Sequence, residues 1–115
     1  MRTEVKKAVS FLITMMAVRL EKREELSIIL ERMMLSKFRG FWFEDNWKRA
    51  SGYRCILVTH IMDPMLREAL IEANLPAEVS DYTIFTGDFS LWCDPGKVRY
   101  RIGENGSVGD VWKRA

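Results

Sequence analysis

The sequence predicts one α+β domain, in which an antiparallel helical hairpin and further short helices pack on a small antiparallel β-sheet. Apolar residues recur at helical spacing between Val5 and Phe38, whereas they alternate with polar residues between Phe89 and Trp112. Turn sequences separate the alternating runs. Helices followed by strands that are joined by tight turns are typical of this fold class. A chain of 115 residues suits a single domain, 1–115, large enough to bury its own core.

Two helices are predicted at the N-terminus. The charged run 21–25 between them contains neither Gly nor Pro, so periodicity alone does not say whether it breaks the helix. An unbroken helix of about 35 residues is unusual in so small a domain. We therefore expect a hairpin whose second helix ends at Gly40. The predicted core positions are Val5, Val9, Leu12 and Met16, with Ala8, Phe11 and Met15 widening the stripe, and then Leu26, Ile29, Leu30, Met33, Met34 and Phe38.

A strand and a helix are predicted in the middle of the chain. The β-prone run 53–58 suits a largely buried strand. Asp63 and Pro64 favour a helix start, because the Asp side chain can accept from free backbone N–H groups and proline has no N–H to leave unpaired. We expect this helix to end near Ala73. Residues 76–88 are less regular and suggest a short helix followed by a loop.

Three strands are predicted at the C-terminus. Phe89, Leu91 and Cys93 lie on one face of the first strand, which must face the core, and Trp92 then points the other way. The Asp-Pro-Gly sequence at 94–96 favours a turn. The remaining elements are an alternating strand at 97–102, a type I′ turn at 105–106 and a last strand at 108–112.

Composition argues against several classes of protein. Hydrophobic residues make up 48% and charged residues 30%, the balance of a soluble globular domain. The net charge of +2 is too small to indicate nucleic-acid binding. No apolar run approaches the roughly 18 residues of a membrane span, and two cysteines are too few for a secreted disulfide scaffold. We expect a protein of the cytoplasm and nucleus, with Cys55 and Cys93 reduced.

Neither a catalytic site nor a metal site is predicted. His60 is the only histidine, and the two cysteines are separated, so a zinc site is not expected. Cys55 and His60 are five residues apart near one strand, which puts them on opposite faces and disfavours a Cys–His nucleophile. The glycines of 103–106 are better explained as a turn than as a phosphate loop. We therefore expect no cofactor and no enzyme activity, which leaves a binding role.

Trp92 is the most informative candidate residue. An aromatic side chain out of phase with the core is either covered by another element or exposed as a binding anchor, and phase alone does not decide. The same two interpretations are open for Tyr53, and a core position is slightly favoured over an exposed binding position. Lys97, Arg99 and Arg101 line one face of a strand, either as its solvated side or as a contact for an acidic partner or a phosphate chain.

Two segments resemble the signature boxes of the BTG/Tob anti-proliferative proteins. Ser-Gly-Tyr-Arg-Cys-Ile at 51–56, followed by Met-Asp-Pro at 62–64, resembles the first box. Leu-Trp-Cys-Asp-Pro at 91–95, followed by Tyr-Arg-Ile-Gly-Glu-Asn-Gly at 100–106, resembles the second. The order of the boxes, their separation and the helical pair before them match as well. The resemblance covers the chain from Glu4 to about Val108.

The resemblance implies a non-catalytic adaptor of α+β fold. Such an adaptor docks on the Caf-type catalytic deadenylase of the Ccr–Not complex and links target messages to poly(A) shortening. Tyr53, Trp92 and Asp94 would lie on the deadenylase-facing surface, with Trp92 exposed as an aromatic anchor and Asp94 supplying a charge-assisted contact. The chain departs from the family pattern at Phe41, where a His is usual, and at Lys97, where an acid is common. It therefore resembles a divergent member.

A second hypothesis is a self-assembling, RNA-associated scaffold that represses target messages. Aromatic residues at Phe41, Phe43 and Trp47 could support contact between copies of the chain. The row of cations could contact phosphates directly. The first hypothesis makes mRNA an indirect partner and the second makes it a direct one. A homo-oligomer is possible, and no membrane is expected to be involved. The candidate interface residues in this case are Trp47, Lys97, Arg99 and Arg101.

Overall fold

The computed structural model describes residues 1–59, 61–75 and 87–115. Within them, three α-helices and a four-stranded antiparallel sheet confirm the predicted α+β class. The strands follow the order β1-β2-β3-β4 across the sheet, so neighbours in the chain are neighbours in space. The elements are α1 (Arg2–Met15), α2 (Leu20–Phe38), β1 (Cys55–Val58), α3 (Pro64–Glu72), β2 (Phe89–Asp94), β3 (Lys97–Ile102) and β4 (Val108–Lys113).

The two N-terminal helices form the expected hairpin, but the break lies earlier than the charged run. Residues 16–19 connect the helices, and the run 21–25 belongs to the first turns of α2. Its Glu, Lys and Arg residues are good helix formers whose side chains face mainly solvent, so the run lengthens the helix. Arg2 lies in the same surface groove as Leu35 and Arg39, which brings the start of α1 to the end of α2.

The core lies between the helices and one face of the sheet. Helix α1 packs on β2, β3 and β4, while α2 packs on α1 and α3. Most predicted core positions of the two N-terminal helices are buried, whereas Phe11, Met15 and Met33 are half-buried and pack against the core. The ring of Phe11 packs against both Phe89 and Tyr100, with centroids 5.7 and 5.1 Å away. On the sheet, the buried apolar residues are Ile56, Val58, Phe89, Leu91, Cys93 and Val98.

The side chains of strand β2 alternate between the two faces of the sheet. Leu91 is buried against the helices, whereas Trp92 lies in register between Cys55 of β1 and Arg99 of β3 and points the other way. The residues of this second side are called the outer face below. They are Cys55, Leu57, Ser90, Trp92, Asp94, Lys97, Arg99 and Arg101.

The start of α3 confirms the sequence prediction. Asp63 Oδ1 accepts hydrogen bonds from the backbone N–H of Met65 at 2.9 Å and of Leu66 at 3.4 Å, and Pro64 occupies the first helical position. The helix ends at Glu72, one residue before the predicted end. Among the described helices, none is long and apolar enough to cross a membrane.

One predicted strand boundary and one predicted core position need correction. Strand β1 begins at Cys55, because Tyr53 and Arg54 lie in a turn in which the Arg54 N–H donates to the Ser51 carbonyl at 3.1 Å. The alternation in 97–102 predicts that Ile102 faces the core with Val98, but Ile102 is exposed, since it is the last residue of β3 and lies at the end of the sheet. The short helix expected within 76–88 falls almost wholly outside the described residues.

Candidate partner-binding surface

Trp92 lies on the outer face beneath two arginines. The pleat of β3 puts Lys97, Arg99 and Arg101 on this face together, as predicted. The guanidinium carbons of Arg99 and Arg101 lie 5.7 and 5.8 Å from the centroid of the Trp92 ring. Such cation–π contacts contribute about 0.5–1 kcal/mol each at exposed sites. Trp92 is therefore half-buried, held on the surface by its own cations.

Trp47 joins the same group from the segment before β1. The Lys97 Nζ lies 3.3 Å from the centroid of the Trp47 ring, and the Arg99 guanidinium lies 4.8 Å from it. Arg99 thus contacts both tryptophans. Burial against these neighbours, together with the charge of Arg99, lowers the pKa of Lys97. We call this set the cation–aromatic cluster; its members are Trp47, Trp92, Lys97, Arg99 and Arg101.

Tyr53 lies in a different cluster. Its side chain is 45% exposed, so the core position slightly favoured above is wrong. The Tyr53 ring centroid is 4.3 Å from that of Phe41, and the Lys37 Nζ lies 5.1 Å above the Tyr53 ring. Tyr53 also lines a shallow groove with Met33 of α2 and Met65 of α3. We call Tyr53, Phe41 and Lys37 the Tyr53 cluster. The groove beside it is lined by residues of helices α2 and α3.

Asp94 does not lie at the surface, in contrast to the role inferred from the resemblance. Its side chain is fully buried. Oδ1 accepts from Ser51 Oγ at 2.8 Å and from Arg54 Nη2 at 3.0 Å, and Oδ2 accepts from Arg99 Nη2 at 3.3 Å. A carboxylate without exposed area cannot make the expected direct contact with a partner. It instead holds Arg99 in place beside Trp92.

Arg54 is the important residue that the sequence analysis did not single out. Its side chain is fully buried, and a guanidinium has five N–H donors. All five are used. The only signal in the sequence was an arginine in an otherwise apolar run, and its acceptors become apparent only once the fold is known. They are Asp94 Oδ1 and the carbonyl oxygens of Phe41, Trp47, Arg49 and Cys93.

Neither cysteine has the character of a nucleophile. Burial raises the pKa of Cys93 and also that of Cys55, so both thiols are protonated at neutral pH. Both are free, and they lie on opposite faces of the sheet. Within the described ranges, no three His, Cys, Asp or Glu side chains are grouped to hold a metal ion. His60 is outside those ranges, so the proposed separation from Cys55 stays a prediction.

Comparison with known proteins gives consistent matches over nearly the whole chain. The model of the BTG family matches residues 1–112. Human protein BTG2 is 29% identical over 119 residues, which cover 100% of this chain and 75% of BTG2. Mouse protein Tob1 is 34% identical over 112 residues, which cover 94% of this chain and 30% of Tob1.

A solved structure supports the same assignment at the level of the fold. The BTG/Tob domain of C. elegans FOG-3 superimposes with a TM-score of 0.78 at 20% sequence identity, covering 98% of this chain and 82% of that domain. These matches indicate no catalytic family. Both signature boxes recognised in the sequence fall inside the matched residues. The chain therefore belongs to the BTG family, the anti-proliferative proteins that its two boxes resemble.

Proposed function

We propose that this chain is a non-enzymatic adaptor that binds the Caf-type catalytic deadenylase subunit of the Ccr–Not complex. By bringing the deadenylase to target messages, it promotes their poly(A) shortening and repression, and so restrains proliferation or directs differentiation. The proposal places the protein in the cytoplasm and the nucleus. Membership in the BTG family supports this role, because Tyr53 and Trp92 occupy the box positions that the resemblance assigns to the deadenylase-facing surface.

The accessibility of Tyr53 and Trp92 carries the proposal. Both are large aromatic residues that remain partly exposed, whereas Phe38 and Phe89 are buried in the core. Aromatic anchors of this kind dominate binding energy, because they exclude water over a wide area at little cost in side-chain entropy. With Asp94 buried, the charged contacts next to Trp92 come from Arg99 and Arg101.

A pull-down of purified Caf-type deadenylase by the purified chain tests the proposal. We expect Trp92→Ala and Tyr53→Ala each to weaken binding by about tenfold or more, the effect of losing an interface hot spot. Leu20→Ala is the matched control, since Leu20 is an exposed apolar residue at the opposite end of α2 from the Tyr53 cluster. Circular dichroism verifies that each variant is folded.

Two results would contradict the proposal at different levels. If the wild-type chain does not retain the deadenylase, the adaptor role is wrong. If folded Trp92→Ala and Tyr53→Ala bind as well as Leu20→Ala, the adaptor role stands but the surface is elsewhere.

A second candidate function is an RNA-associated scaffold that assembles with copies of itself. The cation–aromatic cluster favours it, because cations interleaved with aromatic rings suit a single-stranded nucleic acid. Light scattering measures self-association, and an RNA-binding titration in increasing salt measures phosphate contacts. A monomer without salt-sensitive RNA binding is incompatible with this candidate.

A further inference from the structure

We infer that Arg54 positions the 41–49 segment and thereby joins the Tyr53 cluster and the cation–aromatic cluster into one docking surface. The positioning follows from the geometry of Arg54 itself. That the joined surface docks a partner rests on the proposed function. Arg54 is a positioning residue rather than a contact residue, since its side chain is fully buried.

The hydrogen bonds of Arg54 fall into two sets. Nε donates to the Cys93 carbonyl at 2.8 Å, and Nη2 donates to Asp94 Oδ1 at 3.0 Å, which anchors the guanidinium to the end of β2. The remaining donors reach backward along the chain. They bond to the carbonyl oxygens of Phe41, Trp47 and Arg49.

The segment that these bonds hold contains no helix or strand. Its own backbone bonds are local turn bonds, such as Asn46 N–H to the Phe43 carbonyl and Arg49 N–H to the Asn46 carbonyl, both at 3.1 Å. Turn bonds give the segment its shape but do not attach it to the rest of the domain. Side chains add further attachments: Trp42 stacks on Phe38 with ring centroids 6.4 Å apart, Glu44 Oε2 accepts from Arg114 Nη2 at 3.5 Å, and Trp47 packs under Lys97. Arg54 bonds to the backbone itself, and it does so at both ends of the segment.

The two ends carry residues of different clusters. Phe41, at the first end, packs on Tyr53. Trp47, near the second end, lies under Lys97 and Arg99. Since one guanidinium binds the carbonyls of both Phe41 and Trp47, a displacement of Arg54 moves an aromatic residue in each cluster. The two clusters therefore keep a fixed relative position through Arg54.

Arg54→Lys separates this positioning role from a simple requirement for charge. A lysine keeps a cation near Asp94, but its single nitrogen has three N–H donors and lacks the planar fork that reaches five acceptors. The core variant Leu30→Ala is the matched control. Leu30 is fully buried in α2, and its truncation lowers global stability without removing a bond to the 41–49 segment.

Local proteolysis reports on the segment independently of any partner. Lys48 and Arg49 are exposed trypsin sites within it. We expect Arg54→Lys to be cleaved there at least tenfold faster than Leu30→Ala, under conditions in which both variants are folded. Equal cleavage rates in the two variants overturn the positioning role.

Nuclear magnetic resonance tests the coupling between the clusters. The ring signals of Tyr53 and the indole N–H signal of Trp47 should both shift in Arg54→Lys and stay unchanged in Leu30→Ala. A shift in only one cluster overturns the coupling.

Deadenylase binding is then measured for the same two variants, with at least a tenfold loss expected for Arg54→Lys alone. If wild-type chain binds no deadenylase, the proposed function fails while proteolysis and resonance shifts still decide the role of Arg54.

Discussion

Arg54 Nη2 donates to Asp94 Oδ1 at 3.0 Å in an ion pair from which solvent is fully excluded. Arg54 comes from the first signature box and Asp94 from the second, so this pair links the two boxes across the sheet. Asp94 also accepts from Arg99, which lies over Trp92. Asp94 therefore stabilises the aromatic surface from within the fold. A substitution at Asp94 should lower the stability of the domain, and any effect on binding would follow from that.

Asp94→Ala should destabilise the domain by about 3–5 kcal/mol, because removal of one partner leaves the buried guanidinium of Arg54 without its counter-charge. Urea denaturation measures this change as a shift of the transition midpoint. Ser51→Ala is the control at the same carboxylate: it removes only the bond from Ser51 Oγ, and we expect a loss of about 1 kcal/mol. An Asp94→Ala variant as stable as Ser51→Ala would show that the ion pair does not support the fold.

Glu4 should make the stability of the domain depend on pH. Its carboxylate is buried, and it accepts from the Gly96 N–H at 3.0 Å and from Arg114 Nη2 at 3.1 Å, while the N-terminal amine lies 3.3 Å away. Burial by itself raises the pKa of Glu4, but the hydrogen bonds and the nearby amine outweigh it and leave the pKa below its ordinary value of 4.5.

A carboxyl whose pKa is lowered by folding stabilises the folded state above its unfolded pKa, and this contribution is lost as pH falls through the folded pKa. Glu4→Gln should therefore cost about 1–3 kcal/mol at pH 7, and its difference from wild type should shrink as pH falls below 4.5. Denaturation curves across this pH range measure the difference. Glu24→Gln, an exposed position on α2, serves as control. A difference for Glu4→Gln that stays constant with pH contradicts the assignment.

Periodicity predicted the elements because their burial is one-sided and repeats along the chain. The stripes of α1 and α2 and the alternation in β2 depend only on which face meets the core. The break at 16–19 was missed because it contains no Gly or Pro, and the charged run next to it continues a helix equally well. The buried roles of Arg54 and Asp94 could not be predicted for another reason. Whether a charge is buried depends on a partner distant in sequence, and only the assembled register brings that partner into reach.

Gly109→Ala should destabilise the sheet by about 1–3 kcal/mol, the usual cost of overpacking. Gly109 lies opposite Tyr100 in register, and an added Cβ would lie 2.7 Å from ring atoms of Tyr100. The ring cannot move away freely, because it packs on Phe11 at 5.1 Å. Gly52→Ala is the control, since a Cβ added at Gly52 would have no atom of the described residues within 4 Å. Equal denaturation midpoints for the two variants would contradict this packing.

Lys97→Glu should discriminate between the two candidate functions. It replaces a cation of the cation–aromatic cluster with an acid, 3.3 Å from the Trp47 ring centroid in the wild type. If the cluster binds RNA, the loss of one phosphate contact should weaken binding and reduce the slope of log K against log salt by about 0.7. A fluorescence titration with a single-stranded RNA at several salt concentrations measures both quantities.

Lys6→Glu makes the same change in net charge on the exposed side of α1, away from the outer face of the sheet. If both variants weaken RNA binding equally, the interaction follows net charge and the cluster is not its site. If only Lys97→Glu weakens it, the cluster contacts phosphate directly, and the same variant should then be tested in the deadenylase pull-down. Loss of both RNA binding and deadenylase binding in Lys97→Glu alone would mean that both partners use the cation–aromatic cluster.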